Sequence, residues 1–178
     1  MPSMNHNSAT LLMIDFQAKL MPAIDGAAAA IANAGRLLGV AQMLSVPILF
    51  TEQNVKGLGA TVPELASRAN GPVAHKMTFD ASRAAGFAEM LADRPEVVVA
   101  GCEAHVCVLQ TVLSLLDAGR RVYVARDAIG SRREESKEAA IRRMELHGAD
   151  IVTTEMVVFE WLGTAEHPRF REATALIR

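Results

Sequence analysis

The chain has 178 residues, 51% of them hydrophobic and 21% charged, with only 4% aromatics and a net charge of -2. This balance suits one globular domain with a core of Ala, Val, Leu, Ile and Met, and it excludes a disordered chain. The near-neutral charge gives no electrostatic reason to bind nucleic acid or an anionic membrane, and two cysteines are too few for a disulfide framework.

The opening residues, MPSMNHNSAT, are polar and show no basic segment followed by an apolar one, so no leader is expected. No apolar run reaches membrane-spanning length, and the cysteine usage suits a reducing cytoplasm. Thr10 to Phe16 is a continuous apolar run around Asp15 and predicts the first strand. Pro22 and Gly26 mark a loop, and Asp25 is the predicted cap of a helix reaching about Leu44. Its inner face would be Ile31, Leu38, Ala41 and Leu44. Pro47 to Thr51 predicts the second strand, and Glu52 to Thr61 a loop. Pro63 opens a short helix that Gly71 and Pro72 break. Val73 to Lys76 is the third strand, and Asp80 to Ala92 is helical.

Val97 to Ala100 ends at Gly101 and has the unbroken apolar character of a strand buried on both faces. After a short turn the period changes. His105 to Ala118 is helical, with polar relief at Gln110, Ser114 and Asp117 and a stop at Gly119. Arg121 to Ala125 is the fifth strand, with Arg126 to Gly130 as its exit loop. Ser131 and Glu134 have capping-box spacing before a helix to His147, which Gly148 stops. Asp150 to Thr153 is the sixth strand, and a helical tail starts near Glu155. Strands that alternate with helices need crossover connections. The predicted fold is therefore α/β: three α/β/α layers, Rossmann-like, around a six-stranded, mostly parallel sheet. One domain is expected, with its core over about 10–161 and a tail over 162–178.

Ligands of such sheets bind beyond the carboxyl ends of the strands. Three chemically capable residues lie there: Asp15 after strand one, Lys76 ending strand three, and Cys107 just after strand four. Cys107 falls in the first turn of its helix, where free N–H groups and the macrodipole favour a thiolate. Position alone leaves it open between a reactive thiol and a small core residue. Phe16, Gln17 and Gln53 follow strand ends and are candidates for a substrate pocket or for packing. His105, two helical positions from Cys107, points about 200° away and reads as structural. The paired arginines at 132–133 and 142–143 read as a solvated helix face.

MIDFQ around Asp15, HKMTF around Lys76 and GCEAHVCVLQT around Cys107 resemble the signatures of the isochorismatase-like cysteine hydrolases. TEQ at Thr51 to Gln53 and the ARDAIGSR segment resemble the isochorismatase domain-containing or YcaC-related subgroup. The resemblance spans roughly Thr10 to Trp161. It implies an Asp–Lys–Cys triad of Asp15, Lys76 and Cys107, and a non-proline cis peptide at Cys102–Glu103. It also implies an oxyanion hole from the backbone N–H groups of Glu103 and Cys107. The chemistry of the residues agrees. Lys76 and the helix terminus favour thiolate at Cys107, Asp15 takes its proton, and the thiolate attacks a carbonyl-type carbon. Protonated Asp15 then serves the leaving amine and afterwards activates water on the thioester.

The departures from the family narrow the expected reaction. Relatives acting on nicotinamide carry an Asp and histidines for a metal after strand two. Here Glu52, Gln53 and Asn54 stand there, with no histidine between His6 and His75, so no metal and no other cofactor is expected. Enzymes that hydrolyse isochorismate itself typically lack the cysteine, so Cys107 argues for an amide-type C–N bond in a small-molecule substrate. A homo-oligomer is expected by analogy, since relatives are often dimers, tetramers or larger. Two rivals remain at this point. One is a catalytically idle or regulatory small-molecule-binding protein. The other is a thiol-based redox sensor that pairs Cys102 with Cys107.

Overall fold

The computed structural model describes residues 3–91 and 93–177. The predicted helix end at Ala92 lies outside the described residues, as do Met1, Pro2 and Arg178 at the margins of the polar opening and the tail. Six strands form one sheet: β1 (Ala9–Ile14), β2 (Ile48–Gln53), β3 (Val73–Lys76), β4 (Glu96–Cys102), β5 (Arg121–Gly130) and β6 (Asp150–Val152). Their order is β3-β2-β1-β4-β5-β6, and every pairing among them is parallel.

The helices are α1 (Ala27–Met43), α2 (Val55–Leu58), α3 (Pro63–Ala66), α4 (Phe87–Met90), α5 (Leu109–Asp117), α6 (Glu134–Leu146), α7 (Thr154–Leu162) and α8 (Phe170–Leu176). Successive strand side chains point to opposite faces, so the continuous apolar runs serve two cores. Leu11, Met13, Val98 and Ala100 face α1 and α7 in one cluster. Leu12, Ile14, Val97 and Val99 face α5 and α6 in the other. The C-terminal α7 and α8 both pack on α1, so the tail belongs to the first core.

Several local features differ from the sequence prediction. Gly26, in the left-handed region at φ 66, caps α1 in place of Asp25, whose N–H instead donates to Ser131 O at 3.0 Å. Ile31 and Leu44 are only partly buried at the edge of that core, while Leu38 and Ala41 are fully inside. β2 runs on to Gln53, and the predicted loop after it contains α2. The predicted helix from Asp80 is broken. Asp80 caps a single 3-10 turn, Ala81–Arg83, and α4 starts separately at Phe87 after the left-handed Gly86. The segment Arg126 to Gly130 is strand, not exit loop. A register shift between Val99 and Gly101 lets Gly101 pair with Ile129 and Cys102 with Gly130. Ser131 does not cap α6, which starts after Arg133 without a side-chain cap.

Gly101 is required by close approach. Its φ is 150, and a Cβ there would stand 2.3 Å from Ile14 O and 2.6 Å from Ile14 Cβ on the neighbouring strand. The bare backbone lets β4 lie against the end of β1 just where Asp15 begins. Replacing Gly101 by Ala should lower unfolding free energy by about 2–4 kcal/mol, from overpacking and backbone strain together. Equilibrium urea unfolding checks this, and an unchanged midpoint would mean that the β1–β4 contact yields freely.

Candidate active site at the carboxyl edge of the sheet

The chain leaves β1 through Asp15 at φ 50, a left-handed conformation that aspartate tolerates better than most residues. Its N–H donates to Thr51 O at 3.1 Å, which ties the bend to β2. The carboxylate has a partner on each oxygen. Thr51 Oγ1 donates to Oδ1 at 2.6 Å, and Lys76 Nζ donates to Oδ2 at 2.6 Å. Lys76 ends β3 and reaches past β2, with its side chain at 0% exposure and that of Asp15 at 1%. Its ammonium also donates to Thr78 O and Phe79 O, each at 3.2 Å. A buried ammonium has three donors, and each has an acceptor here.

On the other side of β1, β4 ends at Cys102, and the peptide bond from Cys102 to Glu103 is cis. A π-helical turn, Ala104–Val108, follows before α5 begins. Glu103 O accepts the N–H groups of Val106 and Val108, at 3.1 and 3.2 Å. Cys107 sits in this wide turn, 7% exposed, and its carbonyl accepts from Thr111 Oγ1 at 2.7 Å. Its thiol lies near Asp15 and Lys76, close enough that both act on its charge. The sheet therefore brings Asp15, Lys76 and Cys107 together. They meet where strand order reverses between β1 and β4, the usual ligand position in an open parallel sheet.

The electrostatics correct one expectation. Burial pushes the Cys107 thiol up to about 12, and the nearby Asp15 carboxylate adds to the rise while Lys76 opposes it. Cys107 therefore rests as a thiol and not as the predicted thiolate. The lysine's charge is already matched by Asp15, so little of it is left to favour a second anion.

The remaining candidates fall into place around this cluster. Cys102 is fully buried on the opposite side of the sheet from Cys107, in the α1 core, and burial pushes its thiol to about 12 as well. Phe16 is also inside the α1 core. Gln17 is a brace: its amide nitrogen donates to Gln53 O and Gly59 O, and its oxygen accepts Gln53 N–H. Gln53, half-buried, directs its own amide to Met77 O. Phe16 and Gln17 are thus packing and bracing residues. The Glu103 carboxylate holds the N–H and Nε of Arg132, at 3.1 and 3.0 Å, and so fastens the start of α6 to the turn. His105 turns away from Cys107 to Ser131 Oγ, at 3.0 Å. A cleft of about 450 Å³ opens beside Lys76, lined by Asn54, Val55, Lys56, His75 and Met77. Thr51 is the site residue that sequence reasoning missed. Its place on β2 directly opposite Ile14 is the signal that could have found it, because parallel pairing puts it next to Asp15.

The chain matches the family model "Isochorismatase domain" over residues 9–156. It is 38% identical over 174 residues to isochorismatase domain-containing protein 2 of Homo sapiens, covering 96% of this chain and 83% of that protein. Its structure is similar to one described as MAR1 ribonuclease from Caenorhabditis elegans. The TM-score is 0.94 and the identity 35%, covering 99% of this chain and 92% of that one. It is also similar to YcaC from Pseudomonas aeruginosa with hexane-2,5-diol and covalent acrylamide. There the TM-score is 0.86 and the identity 25%, covering 98% and 95% of the two chains.

Thr51→Val keeps the volume but leaves Asp15 Oδ1 without its buried donor. Stability should fall by about 1–3 kcal/mol, the cost of an unsatisfied buried acceptor. Thermal and urea unfolding of the variant check this, and wild-type stability would mean that water replaces the hydroxyl.

Proposed function

Because this chain belongs to the isochorismatase family, we propose that it is a metal-independent cysteine hydrolase cleaving an amide-type C–N bond of a small molecule. The observation that carries the proposal is the buried Asp15–Lys76 pair at 2.6 Å, with the Cys107 thiol near enough to feel both charges. A neutral thiol next to a carboxylate is set up for general-base attack. As Sγ bonds to the substrate carbon, its proton passes to Asp15, and the carbonyl electron pair moves onto oxygen. The cluster is neutral overall before this transfer, and as the S–C bond forms one negative charge passes from Asp15 by way of sulfur to the substrate oxygen. Lys76, released from its ion pair as Asp15 is protonated, then stands as the cation beside the developing charge.

The oxyanion would be held by the N–H groups of Glu103 and Cys107. On collapse the C–N bond breaks, and Asp15 gives its proton to the departing nitrogen. Water then attacks the thioester, Asp15 takes its proton, and sulfur leaves and is reprotonated. In place of metal ligands after β2, Glu52 Oε1 accepts from both the N–H and the hydroxyl of Thr61, so that carboxylate serves the scaffold.

A second reading, phosphodiester hydrolysis, rests on the ribonuclease description of the Caenorhabditis relative. The two separate cleanly. A panel of small primary amides and ureido compounds, and a labelled single-stranded RNA, are incubated with wild type, Cys107→Ala and a chelator. Amide turnover that is abolished by Cys107→Ala and untouched by the chelator is the expected result. RNA cleavage that survives Cys107→Ala would replace the thiol mechanism.

The pH dependence of Cys107 alkylation by iodoacetamide has a definite sign. With the thiol raised to about 12, the wild-type rate should climb through the alkaline range without a plateau near neutrality. Asp15→Asn removes a negative neighbour and should shift the profile to lower pH, whereas Lys76→Met should shift it to higher pH. A neutral-pH plateau in wild type, or shifts of the opposite sign, would contradict the resting-thiol assignment.

A further inference from the structure

The ammonium of Lys76 takes two of its three acceptors from one short segment, the carbonyls of Thr78 and Phe79. Main-chain carbonyls hold a charge in place only when their own segment is fixed, and the residues that fix it are specific. Thr78 Oγ1 donates to Asp80 O at 2.8 Å, which folds the segment back on itself. The Asp80 side chain, 6% exposed, accepts Ser82 N–H at 2.9 Å and Ser82 Oγ at 2.7 Å on Oδ1. Its Oδ2 accepts Ser114 Oγ of α5 at 2.7 Å and lies 3.4 Å from Arg83 Nε. One residue on, Ala81 N–H donates to Thr111 Oγ1 at 2.9 Å, and the same hydroxyl donates to Cys107 O. The segment that cradles the lysine is therefore moored to α5, the helix that carries on from the nucleophile's turn.

We infer that Asp80 is a positioning residue for the Asp15–Lys76–Cys107 site, acting through the Thr78 and Phe79 carbonyls to hold Lys76 in register with Cys107. The inference rests on the hydrolase reading above. Asp80 touches neither the thiol nor the Asp15–Lys76 pair. It is a buried carboxylate between β3 and α5, and capping the turn at Ala81–Arg83 alone would use only Oδ1. Its acceptors converge instead on two serines, so that the segment is locked in both directions.

The test is the pH profile of Cys107 alkylation, read by peptide mass, in wild type, Asp80→Ala, Asp80→Asn, Ser114→Ala and Lys76→Met. Loss of the mooring lets Lys76 drift from sulfur, and Cys107 loses the cation that opposes its upward shift. Asp80→Ala should slow alkylation near neutral pH about tenfold, equivalent to one pH unit of displacement. Asp80→Asn keeps an acceptor for Ser82 and presents an amide donor to Ser114 Oγ, reversing that bond without losing it, and should recover to within about twofold of wild type. Ser114→Ala should move the profile the same way by about threefold, and it decides the matter if Asp80→Ala does not fold. A profile that moves with Lys76→Met but stays put with Asp80→Ala and Ser114→Ala would overturn the positioning role alone. A profile indifferent to Lys76→Met as well would overturn the triad reading, and this inference with it.

Discussion

A lysine and an aspartate removed from water at 2.6 Å are the constraint around which this structure is arranged. Such a pair is a poor source of stability, because each charge loses its hydration and the attraction between them does little more than offset that loss. It survives only if the remaining lone pairs and protons are also matched. Thr51 supplies the donor to the free carboxylate oxygen, and two main-chain carbonyls supply the acceptors to the free ammonium protons. Two local features serve this matching. The left-handed Asp15 turns its carboxylate back over the strand ends, and the segment after β3 curls so that its carbonyls face inward.

The same pair sets the character of the sulfur beside it. A lone lysine near a buried thiol would make a thiolate; a lysine already neutralised by a carboxylate does not. The cysteine is thereby held as a thiol beside a pair whose charges cancel. Cys102 shows the contrast. It is also buried and its pKa is comparably raised, but what opposes that rise is the Gly130 backbone, and it packs in the core on the other side of the sheet from Cys107. Separation of the two thiols onto opposite faces follows from strand alternation, since Cys102 points with Val98 and Ala100 while the turn carries Cys107 to the other side.

Fold class and strand count were legible because the apolar runs are long, unbroken and regularly spaced with helices. The convergence of Asp15, Lys76 and Cys107 was legible because all parallel strands deliver their carboxyl ends to one edge. The failures have a common cause. The helix at Asp80, the cap at Asp25 and the capping box at Ser131 were assigned from local propensity, and in each case a long-range partner decides the outcome. Asp80 is held by Ser114, Asp25 N–H by Ser131, and Ser131 by His105. The extension of β5 to Gly130 depends on a register shift opposite Val99 and Gly101, which leaves no mark in composition. The protonation of Cys107 was misjudged because a sequence shows that a lysine is near but not that its charge is already answered.

The order in which the chain supplies the site has a consequence for how the protein comes into being. The carboxylate, its threonine and the lysine all come from the first 76 residues, on three adjacent strands, and the thiol comes only after β4 has paired on the far side of β1. During synthesis the charged half emerges first, ahead of β4 and of the α5 contacts of the segment after β3. Thiol and carboxylate thus cannot meet in a chain made only as far as β3. The cluster is complete only with the central β1–β4 pairing, and a polypeptide halted before that step holds the residues of the ion pair without the sulfur.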